Sequence, residues 1–178
     1  MNPRSPLTAH HLLLTVTGSL LTLCVVSGCT QSKRKVEAAD WQHVPVSIEL
    51  RLAAGSPGPQ LVAAPVYGQN HTVFLHPESQ LSNKDIARVE AAKTMSGKGL
   101  VLSVWLTAAG ASRMAEVTSH HMGDSLAVLV NSVVVSVPTI EDTVDLGTKL
   151  PSQIGVPLGP EEANQLASAV SKTWPVRR

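Results

Sequence analysis

Aromatic side chains are scarce in this chain. Only Trp41, Tyr67, Phe74, Trp105 and Trp174 occur among 178 residues, so a core has to be filled by Val, Leu, Ile and Ala. The stacking platforms that hold single-stranded nucleic acid are missing with them. Charge of one sign is lacking too. The 14 Lys and Arg residues face 13 Asp and Glu, which leaves no basic face for nucleic acid and little long-range field to steer a charged partner. Cysteine is confined to Cys24 and Cys29, so no disulfide framework is expected. Catalytic signatures are also wanting: no Gly-x-Ser-x-Gly elbow and no His-Glu-x-x-His helix occurs. Gly97-Lys98-Gly99 lacks the spacing of a phosphate loop and reads as a turn. What is present is enough aliphatic residue, 43% of the chain being hydrophobic, for one domain with one core.

The first 29 residues carry a different kind of information. Arg4 leads into an apolar run from Leu12 to Val26, and the small residues Ser27 and Gly28 precede Cys29. That run is short for a membrane span of about 20 residues and ends at a small-residue cleavage pattern. Val26-Ser27-Gly28-Cys29 reads as a bacterial lipobox: residues 1–28 are a signal peptide, and Cys29 becomes the acylated N-terminus. Acyl chains at Cys29 would then hold the protein to a membrane of the cell envelope, on its extracytoplasmic side. Cleavage would remove Arg4 alone among the charged residues, taking 14 basic residues to 13 against 13 acidic ones. Residues 29–45 read as a flexible tether, polar at Gln31 and Ser32 and basic at Lys33-Arg34-Lys35.

The folded domain is expected over 46–174. Val46, Ile48, Leu50 and Leu52 alternate with polar residues, the period of a half-buried strand. Gly55, Pro57, Gly58 and Pro59 make a loop. Thr72 to Leu75 is a second apolar run, which His76-Pro77 is expected to end. Ser82 and Asp85 stand at capping spacing before Ile86 and Val89, predicting a short helix to about Lys93. Leu100, Leu102, Val104 and Leu106 mark another strand. Thr107 caps a helix with a stripe of Ala108, Ala111, Met114, Ala115, Thr118 and Met122, and Gly123 closes it. Leu126 to Val130 is apolar on both faces, the mark of a strand inside its sheet. After Asn131-Ser132 a hairpin returns through Val133, Val135 and Val137 until Pro138 stops the pairing. Pro160, Glu161 and Glu162 start a last helix with Ala163, Leu166, Ala167 and Val170 on its apolar face, and Trp174 folds over its end.

Several of these residues carry a family pattern. Leu106-Thr107-x-x-Gly110-Ala111, Val117-Thr118, Gly123, Leu126 to Val130, and Val135-Ser136-Val137-Pro138-x-Ile140 follow in order. Ile154-Gly155 and Glu161-Glu162-Ala163-x-x-Leu166-Ala167 continue them, and Ile48 to Leu52 precedes them. Together they resemble the first periplasmic head subdomain of the SecD/SecDF protein-export proteins. The resemblance implies an α+β domain, a mixed or antiparallel sheet packed with two or three helices. It also implies a module that contacts translocating polypeptide, the Sec machinery or another envelope partner, with no catalytic residue and no cofactor. Asn131-Ser132 departs from the Asp-Gly or Asn-Gly turn usual in that family, and serine tolerates positive φ less well than glycine. Nothing in the sequence resembles the family's transmembrane helices, so the head is expected to hold a chain and not to pull it.

Other candidates are weaker. His120-His121 point about 100° apart on a helix, poor geometry for one metal ion, and His near a helix C-terminus suits the dipole. His71 and His76 fall on opposite faces of a strand, Glu141, Asp142 and Asp145 lack calcium-loop spacing, and no metal site is expected. The candidate partner-binding element is therefore the hairpin, Val133, Val135, Val137 and Pro138, acting by strand addition. The rival is a structural envelope lipoprotein that reuses the fold without a role in export.

Overall fold

In a computed structural model of the chain, which describes residues 40–94, 99–143 and 154–175, the alternation at Val46 to Leu52 becomes strand β1, Ile48–Ala54, with Ile48, Leu50, Leu52 and Ala53 buried. Then come β2 (Val62–Pro65), β3 (Thr72–Leu81), a 3₁₀ turn (Asn83–Asp85), β4 (Ile86–Lys93) and β5 (Leu100–Leu106). Helix α1 (Ala108–His120), β6 (Ser125–Val130), β7 (Val133–Ser136), β8 (Ile154–Val156) and helix α2 (Pro160–Thr173) complete the order. The strands form two antiparallel sheets, ordered β2-β3-β1-β6-β7 and β4-β5-β8. Helix α2 packs on β4, and α1 lies against β3, the 3₁₀ turn and β5. The α+β class expected from the sequence is the class observed.

Two cores divide the interior. The larger joins both sheets and both helices through Ile48, Leu50, Leu102, Val104, Met114, Val128 and Leu166. The smaller is enclosed by the five-stranded sheet alone and holds Ala53, Val66, Val73, Leu75, Ala127, Leu129 and Val134. Strand β6 serves both, with Leu126, Val128 and Val130 facing the larger core and Ala127 and Leu129 the smaller. This is why it is apolar on both faces.

The structure corrects four expectations. First, 82–93 is not a helix. Ser82 N does donate to Asp85 Oδ2 at 3.0 Å, but the capped element stops after Asp85 and Ile86–Lys93 is a strand. A bulge between Ile86 and Arg88 puts Ile86 and Val89 on the same buried face three residues apart, a spacing that imitates a helix. Second, Pro77 does not end β3. The ladder passes from Ala53↔Leu75 to Arg51↔Ser79, so the proline sits in a bulge where no ladder N–H is needed. Third, the flexible tether does not extend to residue 45: Trp41 is 2% exposed and belongs to the larger core. Fourth, α1 ends at His120 and buries Gly110 and Val117, while Ala108 is exposed and Met122 is 50% exposed beyond the helix. Thr107 caps the helix as expected, its Oγ1 accepting from Gly110 N at 3.0 Å. Strand β2 has no counterpart among the expected elements, because Val62-Ala63-Ala64-Pro65 is short and shows no alternation.

Candidate functional site

The two edges of the five-stranded sheet, β2 and β7, are where this fold offers a backbone surface. The curl that encloses the smaller core brings them together at one isolated parallel bridge, Val66↔Val134, with Tyr67 N donating to Val134 O at 2.8 Å. Ahead of that bridge the outer edge of β2 has no strand partner among the described residues. Val62 is 58% exposed and Ala63 is exposed, while Ala64 and, from the β7 side, Val137 pack partly buried against the smaller core.

Charge is missing from both edges. No Asp, Glu, Lys or Arg lies between Arg51 and Glu78 or between Asp124 and Glu141. Sheet edges are ordinarily guarded against pairing by charged side chains, proline or bulges; here Pro65 at the end of β2 and Pro138 beyond β7 are the guards.

Of the hairpin residues singled out in the sequence, Val135 is 1% exposed and sits in the larger core, so its side chain is out of a partner's reach. Val133 and Val137 are half-buried and Pro138 is exposed. The turn between β6 and β7 has positive φ at both residues, 48° at Asn131 and 66° at Ser132, the conformation of the tightest hairpins. Asn131 also fastens the approach to β1, its Oδ1 accepting from Ser47 N at 2.9 Å and its Nδ2 donating to Asp40 O at 2.8 Å.

Tyr67 links this edge to α2. Its hydroxyl donates to Glu162 Oε1 at 2.8 Å, and Glu162 Oε2 accepts from Gly159 N at 2.9 Å to cap the helix. The ring meets Trp41 edge-on, centroids 5.3 Å apart. Burial pushes the phenol pKa above its usual 10.0, and the Glu162 carboxylate raises it further by hydrogen bonding and by charge. Neither Tyr67 nor β2 was foreshadowed by periodicity; the signal was the charge-free stretch itself.

Other chemistry is sparse. His76, His121 and Asp124 line an open cleft of about 340 Å³ at the end of β1, where His121 Nδ1 lies 3.0 Å from Asp124 Oδ2. Among the described residues no three His, Cys, Asp or Glu side chains are placed to hold a metal ion. No helix among them is long and apolar enough to cross a membrane. Val26, Ser27, Gly28 and Cys29 lie outside the described residues, as does Asp145.

The model of the SecDF P1 head subdomain matches residues 60–172. The chain belongs to that family. Two solved structures share the fold. One, a crystal structure of SecDF in its super-membrane-facing form, aligns with TM-score 0.53 at 19% identity over 72% of this chain and 19% of that one. The other comes from work on SecDF as a membrane component that enhances protein export, and aligns with TM-score 0.51 at 19% identity over 72% of this chain and 63% of that one. The chain thus spans a minor part of the first SecDF structure and less than two thirds of the second. No curated protein matches it. Strand β1 precedes the matched residues, yet it occupies the middle of the head's larger sheet.

Proposed function

We propose that this protein is a non-enzymatic envelope lipoprotein whose SecDF head binds an extended, uncharged polypeptide segment by strand addition between the β2 and β7 edges. One observation carries the reading: β2 is a sheet edge with no strand partner among the described residues, no charged guard, and an apolar floor behind it. An added strand would satisfy its backbone on β2 and set alternate side chains on Ala64 and Val137. An uncharged apolar segment suits that floor, since a charge placed there would be desolvated without a partner. Membership of the SecDF P1 head family supports a polypeptide of the export route, or a Sec component, as the occupant. Lipidation at Cys29, after the lipobox Val26-Ser27-Gly28, would hold the head near the membrane. The 12 residues from Cys29 to Asp40 span at most about 40 Å fully extended, so the head would work close to the membrane surface that holds its anchor.

The test is site-specific photo-cross-linking in cells. A photoreactive residue at Ala63 on the β2 edge is compared with one at Glu116, exposed on α1. Capture of identified exported precursors or Sec components from position 63 and not from 116 is the expected result. Equal capture from both, or none from 63, would remove the export role.

A further inference from the structure

The contact that joins the two sheet edges is slight for the place it holds. Val66↔Val134 is a single isolated bridge between the residue just past β2 and the β7 strand, with Tyr67 N donating to Val134 O. The segment carrying it is a closed turn, with Val66 N donating to His71 O at 3.1 Å and Gln69 N to Val66 O at 3.1 Å. It can therefore move as a unit. Val66 is fully buried in the smaller core, so the segment occupies both the β7 backbone edge and an aliphatic seat beneath it. A strand added along β7 needs the same carbonyl and the same seat.

We infer that Val66-Tyr67 is a displaceable latch, which occupies the β7 edge until an incoming strand takes its place, and that the Tyr67 to Glu162 hydrogen bond sets how readily it opens. The inference rests on the proposed strand addition and says how that site is regulated. Besides the burial of Val66 in the smaller core, three polar or ring contacts hold the latch shut: the Tyr67 N to Val134 O bond, the Tyr67 hydroxyl on Glu162, and the ring against Trp41. The second ties the edge to the cap of α2, because the same carboxylate accepts from Gly159 N. The seat left by Val66 also defines what can replace it: an aliphatic side chain of about valine size, on a strand with no charge at that position. Opening is a local event, separate from unfolding of either sheet.

Tyr67→Phe removes the bond to Glu162 and keeps the ring on Trp41; Glu162→Gln removes the charge and leaves one acceptor oxygen, which can keep Gly159 N while the amide NH2 faces the Tyr67 hydroxyl as a donor. The reporter is the Tyr67 amide itself, whose hydrogen exchange requires the bridge to open. In the full-length protein in detergent micelles, Tyr67→Phe is expected to speed exchange of that amide about tenfold, the effect of losing one hydrogen bond to a charged group, with Glu162→Gln intermediate and the amides of β1 and β6 unchanged. Exchange of the Tyr67 amide at the rate of the core amides in every variant would show that the bridge opens only by global unfolding, and would overturn the latch. A labelled peptide of alternating valine and serine then reads the gate. Tyr67→Phe is expected to bind it up to about tenfold more tightly, in proportion to the larger open population. A Val66→Cys, Val134→Cys pair oxidised to a disulfide should lose it and recover it on reduction. Equal binding with the bridge locked would overturn the latch while leaving strand addition at β2 intact. Faster exchange with no peptide binding to any variant would instead refute strand addition, and the gating role with it.

Discussion

Replacing Gly110 by alanine is the sharpest test of how this head is assembled. Gly110 stands in the first turn of α1, buried where the helix crosses the 3₁₀ turn. A Cβ there would lie inside van der Waals contact of the Asp85 carbonyl oxygen, with the Asp85 carbonyl carbon and Cβ each at 3.0 Å. These atoms cannot swing away. The Asp85 carbonyl accepts from Thr107 N at 2.8 Å and Thr107 Oγ1 at 3.3 Å, and the buried carboxylate is held by Arg113. Restoring ordinary contact at about 3.5 Å needs a retreat of roughly 1 Å, which pulls Thr107 off that carbonyl. Overpacking of this kind costs about 1–3 kcal/mol and the strained hydrogen bonds about 1 kcal/mol more, against a helix-propensity gain of at most about 1 kcal/mol. The net expectation is a loss of about 1–3 kcal/mol, or roughly 5–10 °C in Tm. Gly155→Ala is the control: nothing lies within 4 Å of its Cβ position, and alanine in a strand should be neutral or better by about 0.5 kcal/mol. Urea unfolding followed by far-UV circular dichroism measures both. A Gly110→Ala variant within about 0.5 kcal/mol of the wild type would refute the close approach on which the α1 joint is argued.

Asn131→Ala should cost about 2–3 kcal/mol in the same assay, because it removes the bonds to Ser47 N and Asp40 O and leaves a Cβ at positive φ without local hydrogen bonding. Ser132→Gly, by contrast, relieves a φ of 66° and should gain about 0.5 kcal/mol after glycine's own entropic cost. The chain has one tyrosine, so tyrosinate absorbance reports Tyr67 alone. Its folded pKa lies above 10.0, so the stability it contributes is complete below pH 10 and is lost as pH rises through the folded pKa; Tyr67→Phe should flatten the alkaline arm of the stability curve, and an unchanged arm would remove Glu162 and burial as the cause. Val62→Lys should change stability by less than about 0.5 kcal/mol, the side chain being 58% exposed, yet abolish cross-linking from Ala63 by placing a charged guard on the edge.

The sequence was most legible where one face of an element is buried. Ile48, Leu50 and Leu52, and Leu100, Leu102, Val104 and Leu106, alternate and are buried in the places that alternation assigns. Gly110 was visible only as a letter in a family pattern, and the Asp85 carbonyl is its physical reason. Illegible elements share a different cause. Bulges at Ile86/Arg88 and around Pro77 insert residues that break the period-two register, so one strand imitated a helix and the other was expected to stop early. Strand β2 has only four residues, and its pairing is imposed by β3 and by the small core, not by its own pattern. The hairpin singled out in the sequence ends in β7, an edge of its sheet, but sequence could not show that Val135 turns into the larger core or that Tyr67 N donates to Val134 O.

The same geometry decides how a tether at the N-terminus would act on the head. Residues 40–48 are fastened by side chains from three separate elements: Asn83 Nδ2 donates to Val46 O at 2.7 Å and its Oδ1 accepts from Ile48 N at 2.8 Å, Thr173 Oγ1 accepts from Val46 N at 2.8 Å, and Asn131 holds Ser47 and Asp40. Trp41 adds a buried indole ahead of them. Beyond them the chain becomes β1, which is paired along both edges, to β3 and to β6. Tension along the chain from residue 40 is therefore met by the middle strand of the sheet and not by an edge. The outer edge of β2 lies outside that line, whereas Tyr67 touches it through the Trp41 ring; if Tyr67 swings away as inferred, Trp41 is uncovered while the bonds from Asn83, Thr173 and Asn131 stay in place.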